Sequence, residues 1–317
     1  MLEVNETNPE ASNEELSNLK GALQQALDDG DMQRAGEIRI EIMPHLRALQ
    51  EEIKVTPEEA KEIMGEEFFG PEEVELALGQ PIDRRDIPTI PFPEEDLKRA
   101  KEMGQFLILR VNKTARGESL RGWKIYEELK GAYLNEEGKR NLRNTQIHPL
   151  SLETVSEETP EKGWALVSKE VLVTSKNNCY DVQTSALLSE LIAAKSSGLS
   201  DIEKKAMGEL FEKSDLILKL QESAKGEDVV QAIDILESLE GNKMLRPSIT
   251  EVFYDMFVCY KTRGERLYQG QEIWTKSRNS DKQGFLSIDN SRNSLSILCP
   301  YPAYKDNYLG TVFSRRS

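Results

Sequence analysis

Histidine is nearly missing from this chain: His45 and His148 are the only two in 317 residues. Cysteine is almost as scarce, with Cys179, Cys259 and Cys299 far apart and no C-x-x-C pair. An odd number of distant cysteines argues against a disulfide framework. A zinc centre built from several Cys or His ligands lacks its raw material, and a Ser/His/acid or Cys/His triad is nearly as poorly supplied. No apolar run approaches the roughly 18 to 20 residues that cross a bilayer. The opening, MLEVNETNPEASNEEL, has neither a basic n-region nor an apolar h-region. The expectation is a cytoplasmic protein without cofactor, metal or membrane partner.

What is present is acidic, and unevenly so. Residues 1–100 hold 25 acidic and 10 basic residues and therefore carry the whole net charge of −15, while the remainder balances. Such a surface repels phosphate backbones, so no nucleic-acid partner is expected. Its simplest role is to keep helices solvated.

Two helices open the chain. Leu16, Leu19, Leu23 and Leu27 recur at helical spacing up to Asp28-Asp29-Gly30. Met32, Ala35, Ile38, Ile42, Leu46 and Leu49 make a second stripe, with Asp31 as its N-cap and Pro44 as a kink or break. The pair reads as an antiparallel hairpin over residues 14–53, which packs on itself or meets a helical partner. Three openings follow: Thr56-Pro57-Glu58-Glu59, Gly70-Pro71-Glu72-Glu73 and Phe92-Pro93-Glu94-Glu95. Proline at a first helical position and carboxylates at the positive end of the dipole mark helix starts, not paired catalytic acids.

Residues 1–79 thus form an acidic helical region. Pro81, Pro88, Pro91 and Pro93 favour an extended connection, so a linker with a short helix is placed at 80–104. Beyond it, QFLILRV (105–111) reads as a buried strand and 119–134 as a helix with Trp123, Tyr126 and Leu129 inward. GWALVSKEVLVT (163–174) opens as a strand, and 182–195 is helical. A polar helical insertion spans about 199–246, and a further helix runs over 247–264 with Phe253, Met256 and Phe257 as core. Strand candidates at 271–278, 284–290, 294–300 and 308–316 close the chain as an antiparallel meander. This is an α+β order, and the last strand is expected to return beside QFLILRV.

The segment 278–308 is crowded with four Asn, five Ser, three Asp and three Tyr. Short polar side chains with tyrosine give adaptable hydrogen bonding and rigid amphipathic area, as in antibody loops, although turns in any antiparallel sheet are also rich in Asn, Ser and Asp. The candidate ligand-binding residues are Arg278, Asn279, Asp281, Asp289, Asn290, Arg292, Asn293, Tyr301, Tyr304, Lys305, Asn307 and Tyr308.

GWALVSKEVL resembles a GWRLPTKEEL stretch, and EIWTKSR with the later DNYLGTVFSRR resembles a YWTSS…VRCVR ending, of C-type-lectin-like domains. That branch includes formylglycine-generating-enzyme-like proteins and the target proteins of diversity-generating retroelements, and the chain is also similar to a group of bacterial proteins with a helical N-terminus. The resemblance covers roughly 105–317 through three short anchors. It implies a C-type-lectin-like domain with an antiparallel sheet and a variable binding face near the C-terminus, since Asn, Ser, Asp and Tyr are what altered AAY-like codons yield. It also implies core roles for Trp164 and Trp274. The EPN and WND calcium signatures do not occur, and Lys305-Asp306-Asn307 is only an echo of them. The catalytic cysteine pair of the formylglycine-generating enzymes is reduced here to Cys299, which reads as a small buried hydrophobe.

The leading expectation is a non-enzymatic module that binds a protein or other ligand through 278–308. One alternative is an enzyme in the same fold using Cys299, His148 or a carboxylate pair, which requires a concave pocket of convergent titratable groups. The other is a structural or phage-related assembly component served by the hairpin. Arg315 and Arg316 have two readings, a contact to a phosphate or carboxylate and, as is usual for terminal arginines, the solvation of an end.

Overall fold

The computed structural model describes residues 9–29, 31, 33–38, 40–42, 55–136, 149–195, 199–223, 226–291, 294–300 and 302–316. The chain divides into two compact units, Met1–Val55 and Thr56–Ser317. In the first, helix α1 (Pro9–Asp28) ends at a turn residue, Asp29, and residues 33–38 and 40–42 are helical. Ala26, Ala35, Ile38 and Ile42 bury one another with Leu19, Ala22 and Leu23 against them, while residues 43–53 of the expected hairpin lie outside the described residues. Asp31 caps the second segment, its carboxylate accepting from Arg34 N at 3.0 Å. Leu27 is turned outward, and Met32, Pro44, His45, Leu46 and Leu49 lie outside the described residues.

In the second unit local chemistry places the helix starts. Helix α2 (Pro57–Met64) has Pro57 first and a reciprocal box in which Thr56 N donates to Glu59 Oε2 at 2.8 Å and Glu59 N to Thr56 Oγ1 at 3.2 Å. Helix α3 (Pro71–Leu78) keeps half of the device: Pro71 is first and Glu73 accepts from Gly70 N at 2.9 Å, while Gly70 has no side chain to return the bond. In helix α4 (Glu94–Glu102) Pro93 is instead the cap itself. The carboxylates are helix-start groups.

One sheet has the order β1 (Phe68–Phe69), β2 (Gln105–Arg110), β3 (Gly163–Ser168) and, from the chain's end, β8 (Ser314–Arg316). The second has the order β6 (Ser294–Leu298), β5 (Phe285–Ser291), β4 (Gln271–Arg278) and β7 (Leu309–Gly310). Strands β4, β5 and β6 form the expected antiparallel meander, and β7 returns parallel to β4.

The terminal strand differs from expectation in two ways. It breaks: Leu309–Gly310 belongs to one sheet and Ser314–Arg316 to the other. The crossing residues are satisfied by the end of β3 and the segment after it, with Phe313 N donating to Ser168 Oγ and Thr311 N to Ser175 Oγ, both at 3.0 Å. It also pairs with β3, Leu166 opposite Arg315, and not with β2. Both edges of β2 are already taken, by β3 antiparallel and by β1 parallel. That second partner, Phe68–Phe69, comes from the segment read as a separate region.

The Pro-rich stretch is likewise corrected. It is extended, but it lies within the larger unit: Ile82, Ile90 and Phe92 are buried, and Trp164 Nε1 donates to Pro88 O at 2.9 Å. The unit boundary falls at 55/56 and not at 80–104. Arg315 and Arg316 do not solvate an end either. Arg315 Nη1 meets Asp96 Oδ2 at 2.8 Å and Arg316 Nη2 meets Glu251 Oε2 at 3.1 Å.

Helix α5 (Gly122–Glu136) follows β2, α6 (Pro149–Glu157) precedes β3 and α7 (Tyr180–Ala194) follows it. The inserted segment folds as α8 (Asp201–Glu222), α9 (Gly226–Ser238) and α10 (Glu240–Leu245). Its Ala206, Leu210, Ile217, Ile233 and Leu236 share a core with Tyr180, Trp274, Phe285 and Phe313. Helix α11 (Ile249–Arg263) is buried along Ile249–Tyr260 and touches both sheets. Tyr254 Oη donates to Leu109 O on β2 at 3.1 Å. The architecture is mixed α and β, with eleven helices and two small mixed sheets among the described residues. None of the described helices is long and apolar enough to cross a membrane.

Candidate functional site

The polar segment 278–308 forms a turn, the β5–β6 hairpin and a loop, and these divide the candidate residues into two kinds. Some are held inside. Arg278 is buried, with Nη1 at 2.8 Å from Asp234 Oδ1 and 2.6 Å from Glu237 Oε2 and Nη2 on the Lys282 carbonyl. Asn279 is buried and closes the turn, its Oδ1 accepting from Gly284 N at 3.0 Å and its N donating to Gly284 O at 3.1 Å. Asn290 is buried and donates from Nδ2 to Leu267 O at 2.7 Å. These three hold the fold and are not presented to a ligand. A buried guanidinium or amide needs partners, and the Arg278 Nη1 and Nη2, Asn279 Oδ1 and Asn290 Nδ2 atoms have found them.

Others face out. Asp281 is exposed at the turn, accepting from Gln283 N at 3.1 Å, and Asp289 is half-buried on β5. Tyr304 is 45% and Tyr308 65% exposed, with Lys305 and Asn307 exposed between them. Arg292, Asn293 and Tyr301 lie outside the described residues.

The loop that carries the tyrosines is pinned along its backbone. Tyr180 N donates to Pro302 O at 3.0 Å, Asn177 N to Asp306 O at 3.1 Å and Glu272 N to Tyr308 O at 2.8 Å. Asp306 adds a local turn by accepting from Tyr308 N at 2.8 Å. A pinned loop that carries aromatics loses little entropy on contact.

Beneath it the sheet presents carboxylates that the sequence reading missed. Glu272 on β4 stands opposite Asp289 on β5, which stands opposite Ser296 on β6. Directly opposed residues share a face. Ser287 donates to Glu272 Oε1 at 2.6 Å. Burial raises the Glu272 carboxyl above its usual range, Asp289 and Asp306 add to this, and the Ser287 hydroxyl opposes them. Burial, then Asp306 and Glu272, raise the Tyr304 hydroxyl. Lys305 is set against Asp306, Asp289 and Glu272, so the face is acidic. The signal available for Glu272 was its alternation with Ile273 in QEIWTKSR, but the strand's partner had to be known first.

Among the described residues the thiols considered for catalysis are held protonated. Burial pushes the Cys299 thiol up to about 11, with Asp281 adding to it, and the Cys179 thiol likewise to about 11. Cys259 is raised further, again by burial. A thiol so raised is not a ready nucleophile. His148 lies outside the described residues, and no group of His, Cys, Asp or Glu suited to a metal ion occurs among the described residues. Trp164 and Trp274 are core, 1% and 0% exposed. The chain matches no protein-family model, no curated protein and no solved structure to which it was compared.

Proposed function

We propose that the protein is a non-enzymatic binding module whose loop at 304–308, with the acidic sheet face beside it, recognises a protein partner carrying a basic, polar surface. The observation that carries this reading is the pair Tyr304 and Tyr308, both exposed on a loop fixed to the core by backbone hydrogen bonds. Exposed tyrosines on a rigid support contribute large contact area at small entropic cost. A C-type-lectin-like domain displaying a variable face is the finer form of the proposal. In that form the positions free to vary are Asp281, Tyr304, Lys305, Asn307 and Tyr308. Change at Arg278, Asn279 or Asn290 would leave buried groups unpaired.

The test uses the full chain as bait beside a Tyr304→Ala/Tyr308→Ala variant. A partner that binds the natural chain is expected to bind the variant at least about 30-fold more weakly, the loss of one hot spot worth about 2 kcal/mol. Equal affinity for both chains would overturn the reading. A near-copy of the DNA for 278–308 beside a reverse transcriptase gene would support the diversified form.

A further inference from the structure

Helix α8 of the inserted segment is amphipathic in an unusual way. Ala206, Leu210 and Ile217 enter the core from one face. On the other side Phe211 is 85% exposed and Leu218 47%. A phenylalanine so placed leaves most of a large apolar ring in water, and covering it would be favourable. Single exposed apolar residues are common on protein surfaces, but this one sits inside a pattern.

Asp201, Lys204, Gly208, Phe211, Asp215 and Leu218 succeed one another at steps of three and four residues, the spacing of a coiled-coil seam. All six are exposed, and Gly208 has open space where a Cβ would stand. Their order is symmetric when the helix is laid antiparallel on a copy of itself. With the two-fold axis midway between Gly208 and Phe211, Phe211 of each copy comes opposite Gly208 of the other. Lys204 then comes opposite Asp215, and Asp201 opposite Leu218 with Lys219 beside it. A large ring meets a position without a side chain, as a knob meets a hole, and a cation meets an anion. In a parallel pairing Lys204 would meet Lys204 and Asp215 would meet Asp215, which like charges oppose. Within one chain Lys204 Nζ lies 3.6 Å from Asp201 Oδ1, but both side chains are exposed. An exposed pair of that kind is weak and gives way to a second anion.

We propose that the outward stripe of α8 is an interface to a second copy of this chain, docked antiparallel, with Phe211 over Gly208 and Lys204 against Asp215 in both directions. Such a contact is isologous, so it closes at two copies. One helix face buries less than the about 1,200 Å² at which stable complexes begin. The dimer therefore forms at high protein concentration and dissociates on dilution.

The experiment follows the full chain by sedimentation equilibrium over a range of concentrations. The natural chain is expected to pass from monomer to dimer and no further. Phe211→Glu is expected to weaken association at least about 30-fold, the loss of a hot spot. Lys204→Glu alone and Asp215→Lys alone are each expected to weaken it about tenfold or more, since the two-fold axis sets like charges together twice. The chain carrying both changes is expected to regain most of the natural affinity. All three positions are exposed, so circular dichroism should show each variant folded as the natural chain is. A natural chain that stays monomeric up to about 1 mM, which would leave the stripe to another protein, would overturn the proposal. So would assembly beyond a dimer, unchanged association of Phe211→Glu, or a double variant no better than either single one.

Discussion

Arg110 and Asp255, 145 residues apart, meet in a bidentate pair at 2.9 and 2.5 Å with both side chains 1% exposed. The pair ties β2 to α11, and Arg110 Nη2 also donates to Ser314 Oγ on β8 at 3.1 Å. Removing Asp255 leaves the buried Arg110 with Glu251 Oε1, 3.5 Å from its Nη1, as the remaining carboxylate, so the loss lies toward the low end of the about 3–5 kcal/mol for breaking a buried pair. Asp255→Ala is therefore expected to lower the unfolding free energy by that amount in urea titration. Arg110→Met with Asp255→Leu is expected to recover a large part of the loss. Additive single-variant losses would refute the pairing.

Glu251 sets an acid limit. Burial alone would raise its carboxyl, but Arg110 and Arg316 outweigh burial and bring it from 4.5 down to about 2. A carboxyl depressed on folding contributes stability above its unfolded value and loses it as pH falls toward its folded value. The natural chain is expected to lose stability progressively between pH 4.5 and 2. Glu251→Gln should be less stable at pH 7 and show a shallower decline over that window. Parallel curves for the two chains would contradict the assignment.

The hold on the Pro-rich stretch can be cut at one atom. Trp164→Phe keeps the ring but removes the indole N–H that donates to Pro88 O. An unpaired carbonyl and lost contacts should cost about 1–3 kcal/mol. Limited proteolysis is expected to cut within 80–93 faster in the variant, and unchanged cleavage would show that the other contacts suffice.

Gly310 marks where β7 passes beneath the segment after β3. A Cβ there would lie 2.9 Å from Ser175 Oγ and closer still to Val171 Cγ1. Overpacking of this kind costs about 1–3 kcal/mol. Gly310→Ala is expected to lower the thermal midpoint, while Gly208→Ala, with open space around it, should not.

The sequence settled what depends on neighbours a few residues away. Thr56, Pro57 and Glu59 start a helix wherever they occur together, the Leu19–Leu23 stripe buries against Ile38 within the first unit, and Trp164 and Trp274 are apolar enough to be core. The order of strands in the meander was legible for the same reason, since consecutive strands pair through short turns. What only the tertiary structure decided is what depends on long-range partners. Arg278 looked like a surface cation until Asp234 and Glu237, in the inserted helices, enclosed it. Arg315 and Arg316 looked like a solvated end until Asp96 and Glu251 reached them. The final strand chose β3 because Phe68–Phe69, from far upstream, had already filled the free edge of β2. A side chain's role follows from the field and the hydrogen-bond partners around it, and only the folded chain brings those together.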